Sequence, residues 1–189
     1  MAPAPWQSPE RFGACVDDAT LRSLAESTVD VADAKYMPGW VYSSEEWFEY
    51  EKAAVYDRSW LALGRADLLK KPGDYYTVTV NDEPLIVVMD DEETIRVLSA
   101  VCQHRGHLLV EGEGCAERGL FRCPLHYWSY DLQGRLRHAP EMSRTNDFDR
   151  NEICLPQLKV ELWQGFVFGH FDHDAPPLAP TLKRLEEEF

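Results

Sequence analysis

The residues best equipped for chemistry lie between positions 102 and 126. The first run reads Cys102-Gln103-His104-Arg105-Gly106, and after an intervening segment comes Cys123-Pro124-Leu125-His126. Each run pairs one thiol with one imidazole. Thiolate sulfur and neutral imidazole nitrogen are both good ligands for iron and zinc. Two of each could close a tetrahedral zinc site. They could also hold a two-iron, two-sulfide cluster, with both Cys on one iron and both His on the other.

Spacing weighs between the two. Paired zinc ligands usually have two or more residues between the Cys and three or more between the His. Here one residue separates Cys102 from His104, and two separate Cys123 from His126. One Cys and one His from each of two loops that clamp the metals from opposite sides is the Rieske arrangement. Zinc remains the alternative on the ligand types alone. Four unrelated polar residues would not fall into matched pairs.

At this point a family resemblance is visible. Cys102 to His107, and Cys123-Pro124-Leu125-His126-Tyr127-Trp128-Ser129-Tyr130-Asp131-Leu132, resemble the Rieske signatures of ring-hydroxylating oxygenase α subunits. That family includes aromatic-ring dioxygenases and relatives acting on quaternary amines. Gly134-Arg135-Leu136, Ala139-Pro140-Glu141-Met142, Pro72-Gly73-Asp74-Tyr75 and Trp163-Gln164-Gly165 are similar to it too, so that the resemblance covers most of residues 36–178. It implies a [2Fe–2S] cofactor on Cys102, His104, Cys123 and His126, with Arg105, Gly106, His107, Trp128 and Tyr130 around it. It also implies a reductase or ferredoxin as electron donor and an oxygenase catalytic domain or subunit as acceptor, and it admits homo-oligomers.

Family oxygenases hold a mononuclear iron on two His and a carboxylate in a further, larger domain. No convincing set of that kind follows His126. His170-Phe171-Asp172-His173-Asp174 has the right residue types, but it lies where a strand runs into a Pro-containing loop, and a structural role is expected. The expectation is therefore the electron-transfer part of an oxygenase, with no catalytic residue assigned and no hydroxylation by this chain alone. The alternative is a free-standing Rieske ferredoxin-like carrier, although those are usually shorter and lack a helical extension. Respiratory Rieske proteins have an extra Cys in each loop, where this chain has His107 and Leu125. Cys115 is accordingly expected to be neither a ligand nor part of a disulfide.

Two departures from the family pattern bear on the loops. The second ligand His is usually flanked by Tyr and Gly, but here by Leu125 and Tyr127. Gly reaches backbone conformations that Tyr reaches only at a cost, so Tyr127 is expected to strain that loop. High-potential Rieske proteins use a Ser and a Tyr after that His as hydrogen-bond donors to cluster sulfurs. This chain has Trp128 at the Ser position and keeps Tyr130. An indole is expected to pack against the loop rather than reach sulfur.

The elements that must position these loops read as strands. Tyr75–Val80 and Pro84–Met89 flank an Asn81-Asp82 turn, Thr94–Ser99 leads into the first loop and Leu120–Arg122 into the second. Asp90-Asp91-Glu92-Glu93 reads as a solvated hairpin tip. Tyr130–Leu132, Arg135–Arg137, Gln157–Trp163 and Phe166–Phe171 complete the pattern, with Leu158, Val160 and Leu162 on one face. Before the strands, Ser43 and Glu46 read as a capping box for a helix to about Tyr56 whose stripe is Trp47, Tyr50, Ala54 and Val55. The expected class is a mostly β, antiparallel Rieske fold of small stacked sheets with N-terminal helices. The expected organisation is an arm and short helix over 1–42, the helix plus Rieske domain over 43–178 and a tail over 179–189, with the family's catalytic iron domain absent.

A formal net charge of −14 over 189 residues argues against nucleic acid or an anionic membrane as partner. The start, Met1-Ala2-Pro3-Ala4-Pro5-Trp6, lacks the basic and apolar regions of a signal peptide. The longest strongly apolar run, Leu85–Met89, is too short to span a bilayer. A cytoplasmic location is the expectation.

Overall fold

The structure, a computed structural model, describes residues 18–27, 29–142 and 145–188. The described residues divide into two compact units on either side of the Arg58/Ser59 boundary. The first contains α1 (Asp18–Ser23) and α2 (Glu45–Ala54). Ser44, not Ser43, caps α2: its side chain accepts the Trp47 N–H, while Ser43 belongs to the preceding helical turn. The serine pair is ambiguous in sequence, and the register of that preceding turn selects between the two. Glu45 and Glu46 then lie where the helix dipole favours negative charge. Trp47 is buried, with Trp40 edge-on at 5.4 Å and Tyr50 at 5.2 Å. Val55, expected on the same stripe, is instead exposed.

The second unit holds ten strands and a C-terminal helix. They are β1 (Leu61–Arg65), β2 (Asp74–Val80), β3 (Glu83–Met89), β4 (Ile95–Ser99), β5 (Glu113–Cys115), β6 (Leu120–Arg122), β7 (Ser129–Asp131), β8 (Leu136–His138), β9 (Lys159–Trp163), β10 (Phe166–His170) and α3 (Ala179–Glu188). They form three antiparallel sheets, ordered β1-β10-β9, β4-β3-β2-β5 and β6-β7-β8. The class is the mostly β, antiparallel arrangement of small sheets expected from sequence.

Local chemistry explains the turns. Asn81 and Asp82 both have positive φ, 50° and 63°, as the tight hairpin joining β2 to β3 demands. β3 is central in its sheet, and Leu85, Ile86, Val87 and Val88 are wholly buried, which is why its apolar run does not alternate. β5 was not legible, because Glu113-Gly114-Cys115 has no apolar pattern; it forms by pairing with the edge of β2. Along β9 the expected apolar face is incomplete: Leu158, just before the strand, is buried, but Leu162 is 55% exposed.

The hairpin tip after β3 differs from the sequence reading. Asp91, Glu92 and Glu93 are exposed, but Asp90 is fully buried. Its carboxylate accepts the N–H groups of Glu92 and Thr94 at 2.9 Å and the Arg96 Nε–H at 2.6 Å. A run of four acids conceals this, since only the fold places Arg96 beside the first of them.

A hydrophobic core joins β3 and β4 to the sheet β6-β7-β8, through Ile86, Val88, Leu98, Phe121, Tyr130 and Leu136. Cys102 and Cys123 belong to this core, so both loops are rooted in one packed body. No helix among the described residues is long and apolar enough to cross a membrane.

Candidate metal centre

Two loops form the site, one after β4 and one between β6 and β7, and their backbones match. In the first, the Gly106 N–H donates to the Cys102 carbonyl at 3.0 Å and the Cys102 N–H to the His107 carbonyl at 2.9 Å. In the second, the Tyr127 N–H donates to the Cys123 carbonyl at 3.0 Å and the Cys123 N–H to the Trp128 carbonyl at 2.8 Å. Each closed turn places the residue four after the cysteine in the left-handed region, Gly106 at φ 72° and Tyr127 at φ 62°. The strain expected at Tyr127 is thus present. Identical frames carry His at different offsets, two after Cys102 and three after Cys123.

The turns bring the four side chains together as two pairs. The imidazoles of His104 and His126 meet edge to face, with ring centroids 4.6 Å apart. Cys102 and Cys123 are almost wholly buried and lie within mutual hydrogen-bonding influence. Burial pushes the Cys102 thiol above its ordinary pKa; the Tyr130 hydroxyl and the His104 N–H pull it down, and Cys123 pushes it up again. Two neighbouring buried thiols resist ionising unless a cation compensates them. Burial first, then His126 and the Arg105 guanidinium, hold His104 below the usual imidazole range, which favours its neutral, ligating form.

The imidazoles provide the test of fit. Nδ1 of His104 and Nδ1 of His126 are both buried and have no hydrogen-bond partner. A buried polar atom without a partner is costly, and two of them on neighbouring rings call for a shared ligand. Separate pairs of sulfur and nitrogen suit a two-metal cluster with one pair on each iron.

Neighbouring side chains brace the loops. The His104 ring stacks on Trp128 at 4.8 Å and 13°, and Phe148 meets the indole edge-on at 5.7 Å. Trp128 therefore packs against the loop, as expected of an indole. Below the loops, the Tyr130 hydroxyl lies 3.4 Å from Cys102 Sγ and accepts the Gln103 N–H at 3.0 Å. Burial, then Cys102, drive the phenol far above its ordinary pKa, so it stays protonated. With its oxygen accepting from Gln103, its own proton is free for the sulfur. His107 turns aside and donates from Nδ1 to the Leu108 carbonyl, and Arg105 is exposed.

The other histidines do not gather. The Asp172 N–H donates to His170 Nδ1, Trp60 packs edge-on against the His170 ring, and His173 Nε2 donates to the Gln157 carbonyl. Cys115 and Cys154 are free thiols, and Cys115 is exposed on β5. What sequence reasoning missed is the Arg122 guanidinium, 4.3 Å from the Tyr127 ring centroid. Only the turn that brings Tyr127 back over β6 reveals it.

Known proteins resemble this stretch of the chain. The model of the Rieske [2Fe-2S] domain matches residues 59–157. The carnitine monooxygenase oxygenase subunit of Acinetobacter pittii (strain PHEA-2) is 33% identical over 148 residues, 78% of this chain and 40% of that protein. The large oxygenase component of the naphthalene 1,2-dioxygenase system of Pseudomonas putida is 34% identical over 145 residues, 75% of this chain and 32% of that protein. The apo crystal structure of a quaternary ammonium Rieske monooxygenase, CntA, superposes with a TM-score of 0.77 at 33% identity, over 82% of this chain and 45% of that chain. The chain thus spans about two fifths or less of the length of these curated relatives.

Proposed function

We propose, from the premise that this chain belongs to the Rieske [2Fe-2S] domain family, that it is the electron-transfer part of a Rieske-type oxygenase α subunit. In this reading Cys102, His104, Cys123 and His126 hold the cluster. Electrons arrive from a reductase or ferredoxin and leave for a mononuclear iron held outside these residues. The observation that carries the ligand assignment is the pair of buried Nδ1 atoms without hydrogen-bond partners, on two neighbouring imidazole rings, together with two buried thiols.

When bound, the cluster supplies one-electron redox chemistry at a potential raised by imidazole ligation. The chain's own residues do the rest. The Cys102 and Cys123 sulfurs provide two negative charges at the buried end, and the neutral imidazoles provide none at the outer end. Tyr130 directs its proton to Cys102 Sγ and steadies the sulfur when negative charge is added. Trp128 fixes the plane of the His104 ring and keeps water from its face. Both a carnitine monooxygenase and a naphthalene dioxygenase resemble this stretch at 33–34% identity, which supports a role in it that is indifferent to substrate.

Iron and acid-labile sulfide analysis tests the reading. Two of each per chain are expected, with a Rieske-type EPR signal that disappears in His104→Ala and His126→Ala. One zinc and no sulfide would sink it.

A further inference from the structure

We propose that the groove beside the second loop is the docking surface for the electron donor, and that the donor presents carboxylates to it. The inference rests on the electron-transfer reading above and names where that partner binds. The groove is an open depression of about 580 Å³ whose lining includes Glu117, Arg118, Arg122, Tyr127, Ser129 and His138. Strand register builds it: Arg122 pairs with Ser129, and Ser129 with His138, so the three lie in a row across one face of β6-β7-β8. Phe121 points to the opposite, buried face.

Charge singles out this surface. Residues 102–150 contain seven arginines and no lysine, against seven carboxylates, whereas the rest of the chain has 26 carboxylates and 12 cations. Arg135 and Arg137 of that segment share Asp131, and Arg150 donates to the Arg137 carbonyl. Arg118 and Arg122 have no ion pair among the described residues, and both are exposed. A guanidinium left without a carboxylate in so acidic a chain is suited to bidentate recognition of a partner's carboxylate. The cation–π contact between Arg122 and Tyr127 joins the charge to the His126 loop. Tyr127 is 52% and Leu125 49% exposed, giving an apolar contact beside the cations. A small apolar contact ringed by complementary charge suits a transient electron-transfer encounter. The acidic remainder of the chain repels the same partner elsewhere, so it also orients the approach.

The transfer itself is balanced by one electron leaving the donor and one entering this chain, with no bond made or broken. The probe is an acidic plant-type ferredoxin, whose potential lies below the Rieske range. Its affinity for the cluster-loaded chain is measured by calorimetry and its electron transfer by stopped-flow absorbance, at low and high salt. Binding and rate should both weaken as salt rises. Arg118→Glu should weaken both by about tenfold at low salt, and Glu117→Gln should strengthen both. Neither substitution touches the loops, and both variants should keep the cluster spectrum and the rate of reduction by dithionite. Absence of binding, or binding insensitive to salt and to both substitutions, would overturn the inference while the cluster reading stands. A purified chain with no cluster spectrum would overturn both.

Discussion

Gly106 and Tyr127 hold the same position in the two loops of the site, four residues after a buried cysteine, each donating its N–H to that cysteine's carbonyl with φ near +65°. One loop meets the left-handed conformation with glycine, the other with a tyrosine whose ring is covered by Arg122. A Cβ at Gly106 meets nothing within 4 Å, so its only penalty is conformational. Gly106→Ala should therefore destabilise the protein by about 1 kcal/mol. Tyr127→Gly should change stability by less than about 1 kcal/mol, because relief of strain is offset by chain entropy and the lost cation–π contact. Chemical denaturation of both variants checks the pair; equal and large losses would contradict it.

The Tyr130–Cys102 contact sets an expectation for the redox potential. With Trp128 stacked on His104 rather than offering a hydroxyl, one donor of the high-potential type is missing. The midpoint should lie near the low end of the Rieske range, about −150 mV rather than about +300 mV. Tyr130→Phe removes the remaining hydroxyl at Cys102 Sγ and should lower it further, by roughly 20–60 mV for one hydrogen bond. Redox titration of the EPR signal decides; a wild-type midpoint above zero would contradict the argument.

Asp90 is the buried charge on which the β3–β4 turn depends. Burial alone pushes its carboxyl up, but the hydrogen bond from Arg96, the N–H groups of Thr94 and Glu92 and the Arg96 charge outweigh it, and the net pKa is lowered. A carboxyl lowered in the folded state adds stability above the unfolded value, about 3.9, and loses it as pH falls through the folded value. Asp90→Asn should cost about 2–3 kcal/mol at pH 7. The difference between wild type and variant should shrink below about pH 4. Denaturation midpoints at pH 7 and pH 3 give the comparison.

Cys115 lies exposed on β5, paired with Asp74, and forms no disulfide. Cys115→Ser should leave the cluster absorption spectrum and iron content unchanged. Loss of iron on that substitution would show that the ligand set is wrong.

Tyr76 carries a buried hydroxyl without a partner, and burial pushes its pKa up to about 12. It lies against Gly64, where a Cβ would come within 2.7 Å of that hydroxyl. Tyr76→Phe should be neutral or stabilising by up to about 1 kcal/mol, since it removes an unsatisfied polar group. Gly64→Ala should destabilise, and less so when combined with Tyr76→Phe; a thermal melt of the double variant tests the coupling.

Sequence alone determined the fold class and the candidate ligands, because both are written in local chemistry. Alternating and β-branched runs bounded by turn residues, such as Tyr75–Val80, Asn81-Asp82 and Leu85–Met89, announce strands wherever they sit. The Cys102/His104 and Cys123/His126 spacings are properties of the chain itself. Tertiary structure decided what depends on residues distant in sequence. It buried Asp90 against Arg96, made a strand of Glu113–Cys115 by offering it the edge of β2, and laid Trp128 on His104. It also gave two unequal motifs one backbone frame, so that His at offset two and His at offset three face each other 4.6 Å apart. Spacing records which atoms are available; only the packing of both loops onto one core determines which of them meet.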